Sequence, residues 1–182
     1  MTITVPTRDA VSPANQAMFD ALKGQLGMVP NLYATLAHSE TALGTYLALQ
    51  SAKSSITGKA REVVNLVVSQ VNSCEYCLAA HSVIGGMVGF TPAQIMEIRH
   101  GRAAFDPRLD ALAKVTKDIT ENRGHGDPAL VEAFFAAGWT TENLVDVIVT
   151  IGDKTVTNLL HGATKVPVDF PAAPALSAAI AA

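Results

Sequence analysis

The sequence predicts an all-α, single-domain helical bundle, and three observations carry that prediction. Alanine, the strongest helix former, supplies 29 of the 182 residues, while aromatic residues make up only 5%; sheets favour β-branched and aromatic side chains instead. A capping side chain followed directly by proline recurs at Ser12-Pro13, Thr91-Pro92, Asp106-Pro107 and Asp127-Pro128. Each pair puts an acceptor at the N-cap and a pre-set φ at the first helical position. No segment shows the alternation of a half-buried strand, and no repeat or low-complexity linker divides the chain. One domain is expected over residues 1–182, with an extended N-terminal segment 1–11 and a C-terminal tail 166–182.

The elements follow in order. The first helix starts at Pro13, carries Met18, Leu22 and Leu26 at four-residue spacing, and ends near Gly27. Pro30 opens a turn before a brief helix marked by Leu32, Leu36 and Ala37. Ser39 is the expected cap of a longer helix through Leu43, Tyr46, Leu47 and Ala52. Thr57 caps the next, from Gly58 to about Val71. A break at Asn72-Ser73, either residue serving as N-cap, leads into a helix holding Cys74, Cys77 and His81. That helix ends near Gly89, and its glycines Gly85, Gly86 and Gly89 either admit a close neighbour or stop it. Helices from Pro92 to Arg99 and Pro107 to Asn122 come next, then a Gly124-His125-Gly126 loop and a short helix from Pro128 to Ala137. The last helix runs from about Thr141 to Leu160, with Leu144, Val147, Ile148 and Ile151 at helical spacing. Prolines keep Pro167-Val168-Asp169-Phe170-Pro171 extended.

Composition also excludes functions. Thirteen Lys and Arg against sixteen Asp and Glu leave a net charge of -3, with no basic excess to neutralise nucleic-acid phosphates. High apolar content and small net charge exclude a disordered chain. Met1 to Ala10 has no apolar run, so no signal peptide is expected, and the Ala-rich stretch from Ala172 to Ala182 is too short to span a bilayer. The expected compartment is the cytoplasm, where a Cys pair serves catalysis or metal binding rather than a structural bridge.

The chemistry concentrates in two adjoining helices. In the helix from Gly58 to Val71, Val63, Val64, Leu66, Val67, Val68 and Val71 surround the axis, as in a helix buried on most sides. Glu62, Asn65 and Ser69 form one polar stripe on it. Glu62 is either a buried, partnered carboxylate or an ordinary exposed residue beside Lys59 and Arg61 near the helix start.

In the next helix, Cys74, Cys77 and His81 fall at i, i+3 and i+7 and share a face. Residues three apart can close a disulfide with modest distortion, and a helix N-terminus favours thiolate. His81 lies one turn from Cys77 but about 10 Å along the axis from Cys74. Cys77 is therefore the expected nucleophile, with His81 assisting directly or through one water, and Cys74 the expected resolving thiol. Thioredoxin-type motifs would reverse that order. Tyr76 is expected to pack against the core. A zinc site would need a fourth ligand from His38, His100, His125 or His161, and no second ligand pair exists; no metal and no cofactor are expected. His161 is read as a C-terminal helix cap, and the other three histidines as surface residues.

Glu62, eleven residues, Cys74, two residues, Cys77, three residues, His81, within Arg61-Glu62 and Cys-Glu-Tyr-Cys-Leu-Ala-Ala-His-Ser, resembles the AhpD-like alkylhydroperoxidase branch of the carboxymuconolactone decarboxylase family. Met28 to Tyr33 and Pro167 to Pro171 look like its peroxidase-related members. The resemblance implies an AhpD-like all-α fold, usually in trimers or hexamers. It implies a thiol-dependent peroxidase with Cys77 as peroxidatic thiol, Cys74 resolving it, and Glu62 with His81 as proton relay. Its partners would be a hydroperoxide substrate and an external dithiol, a thioredoxin-like or lipoyl reductant, with no nucleic acid and no membrane. One departure is that Glu75-Tyr76 stands where related peroxidases carry a second His between the cysteines. The alternatives are a general thiol–disulfide oxidoreductase, an acid–base decarboxylase or lactone-type enzyme using Glu62 and His81, and a metal-binding scaffold.

Overall fold

A computed structural model describes residues 3–176, and among them every regular element is helical. A 3₁₀ turn at Arg8–Ala10 interrupts the segment expected to be extended. The α-helices are α1 (Pro13–Leu26), α2 (Asn31–Leu36), α3 (Ala42–Ser51), α4 (Gly58–Val71), α5 (Glu75–Met87), α6 (Pro92–Arg99), α7 (Pro107–Glu121), α8 (Pro128–Ala136) and α9 (Thr141–Thr164). Residues 177–182 of the expected tail, like residues 1 and 2, lie outside the described residues.

The helix starts follow local chemistry. Ser12, Thr91, Asp106 and Asp127 each accept a backbone N–H of the first turn beside their prolines, and Thr91 completes a capping box with Gln94. α3 begins later than its cap suggested: Ser39 Oγ accepts the N–H groups of Thr41 and Ala42, but the chain turns helical only at Ala42. At the end of α5, Gly89 adopts φ +92°, a conformation open to glycine at little cost. Gly85 lies inside the helix instead, where a Cβ would meet Ile95 at 3.4 Å.

α4 is the axis of the molecule, packed against α5, α6, α7 and α9. Val63, Val64, Leu66, Val67 and Val68 are all at most 1% exposed, each contributing about 1.5–3 kcal/mol of burial. They join Ile98, Leu112, Val115 and Phe134 in the main core. Phe134 stacks on Trp139 with ring centroids 5.6 Å apart, and the indole N–H donates to the Arg108 carbonyl at 2.9 Å. A second cluster joins α1, α2 and α3 around Phe19, Leu43 and Tyr46.

α9 keeps three of its four expected core contacts. Val147 is buried and Leu144 and Ile151 pack on the core, but Ile148 is 51% exposed. Val145, Val149, Val156 and Leu159 face outward with it. The inward side is polar: Thr150, Asp153, Lys154, Thr157, Asn158, His161 and Thr164 are all buried. Thr150 and Thr164 satisfy their hydroxyls on carbonyls four residues back, so those two need no partner from another element. The helix also runs one turn past Leu160, which carries His161 and Thr164 into the interior.

Candidate active site

Glu62, Cys74, Cys77 and His81 converge between α4 and the start of α5, and all four are buried. Glu62 belongs to the buried stripe rather than to the surface. Its Oε1 accepts from Asn65 Nδ2 at 2.8 Å and its Oε2 lies 2.7 Å from His81 Nδ1. Arg61, the neighbouring cation of the surface alternative, reaches Asp153 at 3.6 Å and the Gln50 carbonyl. Burial pushes the Glu62 carboxyl up, but His81, Asn65 and Lys154 together hold it below the usual carboxylate range. Burial, reinforced by the Lys154 charge, pushes the His81 ring down. An ionised Glu62 thus accepts Nδ1–H of a neutral imidazole, whose Nε2 is left as an acceptor.

The two cysteines are not equivalent: Cys77 lies within α5 as expected, whereas Cys74 stands just outside it. Neither Asn72 nor Ser73 caps α5. Asn72 ends α4, Ser73 takes the left-handed φ of +52°, and Cys74 itself is the N-cap in extended backbone. Cys74 Sγ accepts the backbone N–H of Cys77 at 3.3 Å, the place a capping hydroxyl would take. Both sulfurs are free thiols. The hydrogen bond from Cys74, helped by Lys154, Asn158 and Thr157 and opposed by burial, brings the Cys77 thiol down to about 7. The same hydrogen bond and burial push Cys74 up. Among the described residues no hydrogen bond joins the His81 ring to either sulfur, so its direct assistance to Cys77 is not formed here.

α9 supplies the part of the site that sequence reasoning missed. Asp153, Lys154, Thr157 and Asn158 are buried against it, and Asn158 Oδ1 accepts from Asn72 Nδ2 at 2.9 Å. The available signal was the polar run at positions 150, 153–154, 157–158, 161 and 164, the same helical spacing that exposed the Glu62 stripe. His161 is no surface cap: it is buried, with its ring 5.6 Å from that of Tyr76. His38 and His125 are exposed as expected, whereas His100 is half-buried with an unpaired Nε2.

Tyr76 does more than fill the core. Its hydroxyl donates to Asp169 Oδ1 at 2.5 Å and accepts the Leu32 N–H at 3.3 Å, while Asp169 Oδ2 accepts the Asn31 N–H at 2.7 Å. The residue between the two cysteines thereby ties both flanking motifs, 28–33 and 167–171, over the sulfurs. Val166 and Leu32 pack directly in the Cys74–Cys77 cluster. Among the described residues no three His, Cys, Asp or Glu converge as a metal-ligand set.

Comparison with known proteins bears on the fold. Residues 35–118 match the model of the carboxymuconolactone decarboxylase family. No curated protein matches the chain. A peroxidase-related protein from Silicibacter sp. TM1040 superimposes with a TM-score of 0.80 at 23% identity, covering 91% of this chain and 90% of its own. An alkylhydroperoxidase AhpD core protein from Ralstonia eutropha JMP134 gives 0.79 at 22% identity, over 88% of each chain. The debrominase Bmp8, in a complex with 2,3,4-tribromopyrrole, gives 0.74 at 15% identity, over 93% of each chain. The shared feature is the AhpD-like helical fold.

Proposed function

We propose that this chain, a member of the carboxymuconolactone decarboxylase family over residues 35–118, is a thiol-dependent peroxidase that reduces hydroperoxides through a Cys74–Cys77 dithiol/disulfide cycle. The observation that carries the reading is the pair of buried free thiols at the start of α5, with Cys74 Sγ accepting the Cys77 N–H at 3.3 Å, beside a Glu62–His81 hydrogen bond of 2.7 Å. The Cys77 thiolate attacks the terminal oxygen of R–O–OH and breaks the O–O bond. The sulfur becomes a sulfenic acid, and the departing alkoxide takes up the proton that Cys77 lost, carried by the His81–Glu62 dyad. Cys74 then attacks the sulfenic sulfur, a disulfide forms, and water leaves. An external dithiol, thioredoxin-like or lipoyl, returns the disulfide to two thiols by exchange. The cycle suits a compartment that keeps dithiols reduced, the cytoplasm.

The test is steady-state hydroperoxide consumption with dithiol donors, beside the Cys77→Ser variant. Turnover is expected to fall to background in Cys77→Ser, and Cys74→Ser is expected to leave a sulfenic acid that a dimedone-type probe captures. Full activity in Cys77→Ser overturns the assignment. Reduction of disulfides without reduction of hydroperoxides would favour a general thiol–disulfide oxidoreductase. Lactone or carboxylate turnover surviving in the Cys74, Cys77 double variant would favour acid–base chemistry by Glu62 and His81.

The partner on the outer side of α9 is a second copy of this chain, in a homo-oligomer such as the trimers or hexamers the family resemblance implies. Val145, Ile148, Val149, Val156 and Leu159 form an apolar stripe on one helix, each at least 45% exposed, and such a contiguous patch is costly to leave in water. Sedimentation of the wild type as an oligomer and of Leu159→Glu as a smaller species is the expected result; a monomeric wild type removes the assignment.

A further inference from the structure

A groove of about 480 Å³ lies between α5, the end of α6 and the segment 168–175, within the range of about 300–1,000 Å³ that small-molecule sites occupy. Its α5 wall is Glu75, Leu78 and Ala79, a different face of that helix from the one carrying Cys77 and His81. The terminal segment adds Val168, Phe170 and Ala173, so the lining is mostly apolar. Phe170 belongs to two neighbourhoods. It lines the groove, and it also packs in the Cys74–Cys77 cluster with its ring 5.7 Å from that of Tyr76.

One cation lines the groove: Arg99, in the last turn of α6 and only 6% exposed. Its Nε donates to Gln70 Oε1 at 3.0 Å, and its Nη1 donates to the Pro174 carbonyl at 2.7 Å and to Met96 Sδ at 3.4 Å. Those contacts use the N–H groups of Nε and Nη1. Among the described residues the two N–H groups of Nη2 meet no acceptor, and no carboxylate pairs with the guanidinium. Glu75, the acidic residue of the lining, is exposed and makes no ion pair with it. Burial pushes the Arg99 pKa down, and no neighbouring charge offsets that. Neutral partners hold the side chain in place, but they leave a desolvated positive charge without a counter-ion.

We propose that this groove binds an organic carboxylate with an apolar body, its head taken by Nη2 of Arg99 and its chain laid along Leu78, Ala79 and Phe170. The two halves of such a ligand match the two halves of the lining. A carboxylate accepts charge-assisted hydrogen bonds from a guanidinium already fixed by Gln70 and Pro174, so little side-chain freedom is lost on binding. The apolar body covers the aliphatic and aromatic surface of the walls. An inorganic anion would use only the first half, and an uncharged alkane or alcohol only the second. The proposal goes beyond the peroxidase reading and does not depend on it.

The test is calorimetric titration of the full-length protein with sodium octanoate, beside 1-octanol and inorganic phosphate. Octanoate is expected to bind once per chain with a Kd below about 1 mM, and octanol and phosphate at least about tenfold more weakly. Arg99→Gln is expected to weaken octanoate at least about tenfold. Because Arg99 also ties down the terminal segment, a second pair of variants leaves it untouched. Ala173→Glu sets a carboxylate into the lining beside the Arg99 ties and is expected to weaken octanoate at least about tenfold. Ala173→Gln, of the same size without the charge, is expected to stay near the wild type. Equal losses in the two Ala173 variants, or octanol bound as tightly as octanoate, overturn the proposal. So does a wild type that binds no octanoate; a smaller sedimenting species in Ala173→Glu would then give the groove to a second copy of the chain. No arm of the test uses a peroxide. A wild type that binds octanoate yet reduces no hydroperoxide defeats the peroxidase reading and leaves the carboxylate site standing.

Discussion

The two sides of α4 are equally dry and do opposite work. On one side Val63, Val64, Val67 and Val68 meet the core of α7, α8 and α9, where burial alone stabilises and any apolar side chain of the right volume serves. On the other, Glu62, Asn65 and Ser69 are buried too, but the carboxylate and amide are held by directional contacts. Burial of the first kind is forgiving of chemistry and sensitive to volume. Burial of the second kind is sensitive to geometry and to a single proton. One helix therefore serves both the core of the domain and one wall of its thiol site.

The comparison can be broken from either side. Phe134→Ala, deep in the apolar half, is expected to cost about 3–5 kcal/mol through the cavity it leaves. A fall in melting temperature of about 6–20 °C follows for a domain of this size. The activity per folded molecule should hardly change, and calorimetry beside a hydroperoxide assay checks both. Glu62→Gln keeps the shape of the polar half and removes its charge. Turnover should drop about a hundredfold, the scale of a lost acid–base partner, with little change in melting temperature. A Glu62→Gln variant that loses stability but keeps its rate would reverse the division between the two sides.

Smaller effects sharpen it. The rate constant for hydroperoxide reduction should climb as pH rises through about 7, because the thiolate is the reacting form and its share grows as the Cys77 proton leaves. A rate independent of pH from about 6 to about 8 would break the link between Cys77 acidity and turnover. Tyr76→Phe removes the hydroxyl that Asp169 accepts and should cost about 1 kcal/mol. Faster proteolysis around residues 167–171 is the expected sign of the loosened strap, and an unchanged cleavage rate would show that Asn31 and the packing of Phe170 suffice.

Much of the fold was legible because helix starts are local. A capping oxygen, a proline and the first free N–H groups lie within four residues, so Ser12, Thr91, Asp106 and Asp127 could be read without knowing their surroundings. The site was legible where its residues share one helix turn or a stripe, as with Cys74, Cys77 and His81, or Glu62 and Asn65. Cys74 at the N-cap was missed because Asn72 and Ser73 are better caps by composition; the close turn out of α4, with Ser73 at φ +52°, places the boundary one residue later.

The sequence by itself determined an all-helical chain, the order and most of the limits of its helices, and a dithiol beside a histidine and a carboxylate. Only the tertiary structure decided which way α9 faces. Its Val and Ile side chains occur on more than one side, so hydrophobic periodicity alone does not choose. The choice is made by partners about ninety residues away in sequence, Asn72 among them, which meet the polar side of α9 in the assembled fold. A buried Lys or Asn is tolerable only where such partners converge, and that convergence is a property of packed helices rather than of any one of them.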